Sequence, residues 1–258
     1  MFDQLLLKIR RADTPFYRGL KSGAHKFLDS TLPVPRFCYP LLRGAFNAQN
    51  VLASTFRWAL TYFYREPLFR ARCASVGKGF RLARLPFVVS HAKIFIGDNV
   101  NIFGKVDIFS GRIFDEPRLI IGNRVDIGHN VTFIVNKEIA IEDDVNIASG
   151  VRFLDTDAHP RDTQARIADL PPTPDEIKPV RICRNAWIGH NVFIMKGVTI
   201  GEGAIIGVNS VVLSDIPPYS VAIGNPARVI VKNLDRASKS DSASKTQAAV
   251  PSPAEAAS

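Results

Sequence analysis

His159 is the residue best placed to do chemistry. It lies in the run Phe153-Leu-Asp-Thr-Asp-Ala-His-Pro, at the head of a Pro-rich stretch that ends at Val180-Arg-Ile-Cys. At about twenty residues this stretch is too long for a tight turn, and such loops in compact domains are functional or disordered. Imidazole titrates near neutral pH, so it can take a proton from a hydroxyl as that oxygen attacks an electrophile. Two carboxylates stand close by. Asp155 or Asp157 could hold the other ring nitrogen and stabilise the imidazolium that forms; equally, either could cap the turn through side-chain to backbone bonds. Asp157 is favoured for the ring, because residues two apart on an extended segment face the same way. Taken alone, His159 reads as a solvated loop histidine; its place at a break in a regular repeat favours the catalytic role.

That repeat must position it. From Ile182 an aliphatic residue recurs at Ile188, Ile194, Ile200, Ile206 and Val212, and the position four residues further on holds Ala186, Val192, Val198, Ala204, Ser210 and Ile216. Earlier runs keep the same phase: Ile96, Ile102, Ile108; Ile121, Ile127, Phe133; Ile141, Ile147, Phe153. A helix needs apolar residues at i, i+3, i+4 and i+7, and a hairpin sheet needs strict alternation; this segment fits neither. Three hexapeptides make one triangular coil, so roughly five stacked coils are expected, with the interruption in the third regular one. His129 and His190 each sit in an Ile-Gly-His-Asn-Val hexapeptide with Ser149 between them, hence in one column. Two coils separate them by about 10 Å, too far to share a metal. Both are expected as exposed turn residues, and no metal is assigned.

The 258 residues are 46% hydrophobic and 22% charged, enough for one main domain with appendages. No run of eighteen uncharged apolar residues occurs, so no transmembrane helix is expected. The start, MFDQLLLKIRR, lacks a small-residue cleavage site, and Cys38, Cys73 and Cys183 are odd in number and widely spaced; both point to the cytoplasm. Charge is uneven: residues 1 to 93 hold 16 Lys+Arg against 4 Asp+Glu, and the remainder 17 against 20. Within the basic part, Phe46, Phe56, Trp58, Tyr62, Phe63 and Tyr64 alternate with Arg43, Arg57, Arg65, Arg70 and Arg72. Two readings stand side by side. The helices lie at an anionic membrane surface, at its inner face, or they pack an aromatic face on the coils or a neighbouring subunit. With no recognisable reading module, nucleic acid is not expected as a partner. The expected layout is a basic, aromatic helical extension over 1–75, a coil domain over 76–231 with a loop at 159–179, and an Ala/Ser-rich disordered tail over 232–258.

The run from Trp187 to Ile230, WIGHNVFIMKGVTIGEGAIIGVNSVVLSDIPPYSVAIGNPARVI, resembles the closing segment of the hexapeptide-repeat acyltransferases, which include maltose, galactoside and serine acetyltransferases and the O-acetyltransferases of exopolysaccharide synthesis. The resemblance covers residues 94 to 231. It implies an all-β solenoid, a left-handed parallel β-helix, which breaks the usual crossover rule. It also implies a homotrimer with sites between subunits, and acetyl-CoA laid along the coil edge as donor. It places His159 as general base in direct transfer to a sugar or lipid-linked glycan hydroxyl. It matches Trp187 to a tryptophan beside the thioester channel, although this side chain could equally pack between subunits. Gly189, Gly207 and Ala222 would let the pantetheine arm approach the backbone, and Arg228 and Lys232 would meet the nucleotide phosphates, a surface salt-bridge role being the alternative. Simple-sugar acetyltransferases usually read T-A-T-H-P where this chain has Asp155-Thr-Asp-Ala-His159-Pro160, with an extra residue and two carboxylates. Carbonic anhydrases of this fold carry Gly-His-x4-His, and no second His follows Gly189-His190 in that way. Transfer from acyl carrier protein and a non-catalytic assembly platform are the competing readings. The acceptor would be read by loop residues, with Arg161, Asp162 and Arg166 as candidates.

Overall fold

Tight corners repeated every few residues demand a backbone with positive φ, which L residues other than Asn, Asp and Gly adopt reluctantly. In a computed structural model of the chain, Asn99, Arg124, Asp144, Asn185 and Gly203 occupy one row of such corners, with φ between 54° and 63°; Asn130, Gly150, Asn191 and Asn209 occupy a second, between 55° and 77°. Between corners the chain is straight and short. The structure describes residues 7–233 except 10, 13 and 29–33; most of the tail expected over 232–258 lies outside the described residues.

The strands form three sheets. The first takes Ser75–Val76, Lys93–Ile96, Arg118–Ile121, Glu138–Ile141, Val180–Ile182 and Thr199–Ile200; the second takes Arg81–Leu82, Asn101–Ile102, Asp126–Ile127, Asn146–Ile147, Trp187–Ile188 and Ile205–Ile206; the third takes Phe87–Val89, Val106–Phe109, Val131–Ile134, Arg152–Leu154, Phe193–Ile194 and Val211–Val212. Every one of these strands pairs in parallel with the strand three along the chain, for example Ile121 with Ile141 and Ile141 with Ile182. The chain therefore passes through the three sheets in rotation, six times. The aliphatic pattern of the sequence marks five of these passes, from Ile96. The additional one, from Ser75, carries the same six-residue spacing in Val76, Leu82 and Val88, with Val76 and Val88 only partly buried.

The aliphatic column points inward. Ile182, Ile188, Ile194 and Ile200 are fully buried, as are their companions Ala186, Val192 and Ala204. Phe133 and Phe153, one coil apart, stack at 5.0 Å with ring planes 8° apart. Corner side chains join the ladder: Asn123 N–H donates to Asp143 Oδ1 at 2.8 Å, and Asp98 N–H to Asn123 Oδ1 at 2.8 Å. These bonds hold the Asp143 carboxyl below the usual carboxylate range. On the outer face of the first sheet, Arg124 pairs with Asp144 and Arg181 with Glu142 beside a cleft of about 610 Å³. Those exposed pairs contribute little each. The cleft contains none of the residues singled out above.

Contacts divide the chain into two units, Met1–Phe56 and Arg57–Ser258. Helix α1 is Pro15–Leu28 and helix α2 is Tyr39–Leu60; a five-residue π-helical stretch, Thr61–Arg65, then leads into helix α3, Glu66–Arg72. Within the second unit, α3 buries Phe69 against Phe80, ring centroids 6.0 Å apart. Its arginines act on the edge of the first coil. One coil on, the carbonyls of Ile96 and Pro117 accept from Gly77 and Lys93 N–H. The matching carbonyl of Val76 has no coil before it, and Arg70 donates to it instead; Arg72 donates to Ser90 O at the end of the first coil and to Ala92 O at the head of the second, where the shorter first strand does not reach, and Arg65 donates to Ala83 O. A guanidinium, all donors, suits an edge of acceptors. At the far end, Val221–Gly224 extends the second sheet in parallel and Ala227–Val231 closes it antiparallel.

Truncating Phe133 to Ala removes one ring of the stacked, fully buried pair. It should cost about 3–5 kcal/mol, seen as a lower urea midpoint with secondary structure retained below it.

Candidate functional site

The third sheet's fourth strand, Arg152–Leu154, leads straight into the loop. Asp155 N–H donates to Ile134 O on the coil before, Lys178 N–H donates to Asp155 O, and Gly197 N–H donates to Lys178 O on the coil after. The loop thus leaves and returns on a single rung, and residues 156–177 are an excursion from an unbroken ladder.

Asp155 builds the base of this excursion. It is fully buried, and its carboxylate accepts from the backbone N–H groups of Asn136, Lys137 and Glu138 and from the Asn136 side chain, at 2.6–3.3 Å. Burial pushes its carboxyl above the usual range, against the pull of those donors. This is the turn-capping alternative in its full form. Asp155 makes no bond to His159. Thr156, also buried, accepts from Ala158 N–H through Oγ1 at 3.1 Å, and Ala158 takes φ 67°, a conformation costing a residue with a Cβ on the order of 1 kcal/mol. That turn puts His159 on the surface, between Ala158 and the buried Pro160. The imidazole has no hydrogen-bond partner among the described residues.

Asp157 is held elsewhere. Lys196 Nζ lies 2.6 Å from Asp157 Oδ2 and donates to Glu176 O at 2.7 Å; with only 9% of its side chain exposed, it is an inward-facing ammonium that ties the two arms of the loop. Glu176 ties them again, accepting from Arg161 N–H at 2.8 Å and Thr173 N–H at 2.9 Å. These bonds hold its carboxyl below its ordinary value of 4.5. Neither Lys196 nor Glu176 was singled out from sequence. The signal for Lys196 was the polar residue in Ile194-Met-Lys-Gly, directly across a corner from the loop base.

The acceptor candidates divide. Asp162 accepts from Ala165 N–H and caps helix α4, Thr163–Ile167. Arg166 bonds the carbonyls of Pro160 and Arg161 and the Thr163 hydroxyl. Both are occupied inside the loop. The Arg161 guanidinium is 75% exposed and 3.9 Å from Asp157, beside a cavity of about 340 Å³ bounded by Pro160, Leu170, Pro171 and Glu176.

The second group of residues gathers on the second sheet. Trp187, Ile205 and Val221 are register partners along its outer face, and Trp187 is 54% exposed. Gly189 and Gly207 follow in the next row; Gly189 donates to Ile206 O and Gly207 to Ala222 O, each at 2.8 Å. A Cβ on Gly207 would lie 2.4 Å from Ile223 Cγ2 and one on Gly189 2.7 Å from Ile206 O, so close stacking requires glycine at both. Arg228, exposed, faces Ile223 in the closing hairpin, and Lys232 is exposed just beyond it. Within one chain, no hydrogen bond or ion pair among the described residues links His159 to Trp187, Gly189, Gly207, Ala222, Arg228 or Lys232. His129 and His190 stand exposed in the column with Ser149.

The bacterial transferase hexapeptide model (six repeats) matches residues 179–214, the coils that carry Trp187, Gly189, Lys196 and Gly207. A Schizosaccharomyces pombe protein named "putative acetyltransferase" is 39% identical over 111 residues, 43% of this chain and 51% of that protein. A probable acetyltransferase of Mycobacterium tuberculosis is 29% identical over 203 residues, 73% of this chain and 66% of that protein. The chain thus spans between half and two thirds of the length of these two relatives. A variant of AntD, an N-acyltransferase from Bacillus cereus solved with dTDP and coenzyme A, shares the fold at a TM-score of 0.52 and 21% identity, covering 71% of this chain and 97% of that one. Residues 179–214 thus match the hexapeptide repeat of bacterial transferases, and the curated relatives to which the chain is similar are named acetyltransferases.

Two outcomes test the construction of the loop. Lys196→Met should destabilise the protein by about 1–3 kcal/mol and expose amides of residues 157–177 to hydrogen exchange, with the coils unchanged. Because the Glu176 carboxyl is lowered on folding, its contribution is complete above its ordinary value and lost as pH falls through the lower folded one. Exchange protection at Arg161 and Thr173 should therefore hold from neutral pH to the ordinary value of 4.5 and fall below it.

Proposed function

We propose that the chain is an acetyl-CoA-dependent O-acetyltransferase acting on a sugar hydroxyl in exopolysaccharide or surface-glycan synthesis, in the cytoplasm, as a homotrimeric left-handed parallel β-helix. The observation that carries this reading is the excursion at Asp155–Lys178. A coil that could have closed in one corner instead supports a braced loop that presents an unpaired imidazole. Relatives named acetyltransferases support the choice of chemistry.

In this mechanism His159 takes the proton of the acceptor hydroxyl as its oxygen attacks the thioester carbonyl. The tetrahedral intermediate then collapses, the carbon–sulfur bond breaks, and the imidazolium returns its proton to the leaving thiolate. No acyl-enzyme forms. Asp157, paired with Lys196 at the loop base, makes no bond to the ring and acts on the imidazolium only through its charge; Asp155 acts only through the turn it builds. The donor lies along Trp187, Gly189, Gly207 and Ala222 with its phosphates at Arg228 and Lys232. Among the described residues no hydrogen bond or ion pair joins that surface to His159 within one chain, and in this reading the site is completed between subunits, one supplying the base and another the donor surface.

The test has two parts. Acetyl-CoA at a hundred times its dissociation constant should stabilise the wild type by about 2.7 kcal/mol, and Arg228→Ala or Trp187→Ala should weaken that shift. His159→Ala should keep the shift and lose about 10²–10⁴-fold in thiol release with a sugar acceptor. No shift in the wild type would remove the donor assignment, and full activity in His159→Ala would remove the base.

A further inference from the structure

The basic N-terminal residues separate into two sets. Arg65, Arg70 and Arg72 are bonded to carbonyls of the first coil. The other set lies on α1, on α2 and between them. Residues 14–64 contain Arg18, Lys21, Lys26, Arg36, Arg43 and Arg57 against the single acid Asp29.

Each helix is two-faced. Along α2, Leu42, Phe46, Leu52 and Phe56 recur at helical spacing on one side, and Arg43, Asn47, Asn50, Ser54 and Arg57 on the other. No residue of α2 is buried; Phe46 is 62% exposed and Phe56 68%. Helix α1 repeats the plan, with Phe16 and Leu20 on one side and Arg18, Lys21 and His25 on the other. At the end of α2, Trp58 stacks on Tyr62 at 5.5 Å, and Tyr62 meets Phe63 edge-on at 5.0 Å. Trp and Tyr favour a boundary that is apolar on one side and wet on the other. No described helix is long and apolar enough to cross a membrane.

We propose that the apolar faces of α1 and α2 dock in the plane of an anionic lipid surface, their arginines and lysines among the headgroups. The charge decides between occupants. A second copy would cover the apolar faces but leave the basic sides without countercharge, whereas anionic lipid supplies both the apolar layer and the missing negative charge. The inference is independent of the acetyl-transfer reading.

The full-length protein is centrifuged with phosphatidylcholine vesicles, with and without about 30% phosphatidylglycerol. Binding is expected only with phosphatidylglycerol present. The Arg43→Ala/Arg57→Ala variant should partition about 25-fold less well, at about fivefold per charge, and Phe46→Glu/Phe56→Glu should not sediment. Helix content by circular dichroism is read alongside, and the arginine variant keeps the test decisive if the glutamate variant loses helix. Three results would overturn the proposal: no binding to anionic vesicles; binding indifferent to lipid charge and to both variants; or a smaller solution mass for Phe46→Glu/Phe56→Glu without vesicle binding by the wild type, which assigns the face to contact between copies.

Discussion

The ladder of backbone bonds from each coil to the next is the interaction on which the rest of this molecule depends. Strands of two to four residues are too short to be stable alone. They persist because each is bonded above and below, and because the inward Ile and Val columns give every coil a floor and a ceiling of packed methyl groups. Stability in such a stack is a sum of nearest-neighbour terms. Coils therefore tolerate almost any decoration outside the rung, provided the rung itself is kept.

The His159 loop uses that tolerance. Its ends sit on one rung between Ile134 and Gly197, so the excursion leaves the stacking register intact. Rigidity comes from polar groups rather than from an apolar core of its own: Asp155 beneath, Lys196 and Glu176 across the arms, Asp162 and Arg166 within. Every one of these has its partners, which is the condition for a polar network to order a loop rather than loosen it. The imidazole is the exception, braced through the backbone and without a hydrogen-bond partner among the described residues.

How much of this was legible follows from the kind of signal each part carries. The coils were visible because a buried column demands the same residue type every six positions, and Ile182 to Val212 supply it without a slip. The first coil was overlooked because its column at Val76 and Val88 is only partly buried and its corners lack the Ile-Gly pairing. His159 stands out by position alone, as the histidine at the break. The split between Asp155 and Asp157 was open in the sequence, since both are carboxylates on one short segment; burial, a property of the fold, assigns the first to the turn. Lys196 lies about forty residues from Asp157 along the chain, and only stacking brings them together, so local pattern could not find it. The role of Arg70 and Arg72 was hidden likewise, because basic residues near aromatics read the same on a membrane-facing helix as on a capping one.

The cap at the first coil has a consequence beyond its own bonds. A stack of parallel rungs has no natural length, and an uncapped rung offers the next molecule the same row of donors and acceptors that it would offer another coil of its own chain. Helix α3 closes that template with guanidinium groups at one end, and the antiparallel turn-back of Ala227–Val231 alters the strand direction at the other. Together they set the difference between a protein of fixed size and the seed of a fibre.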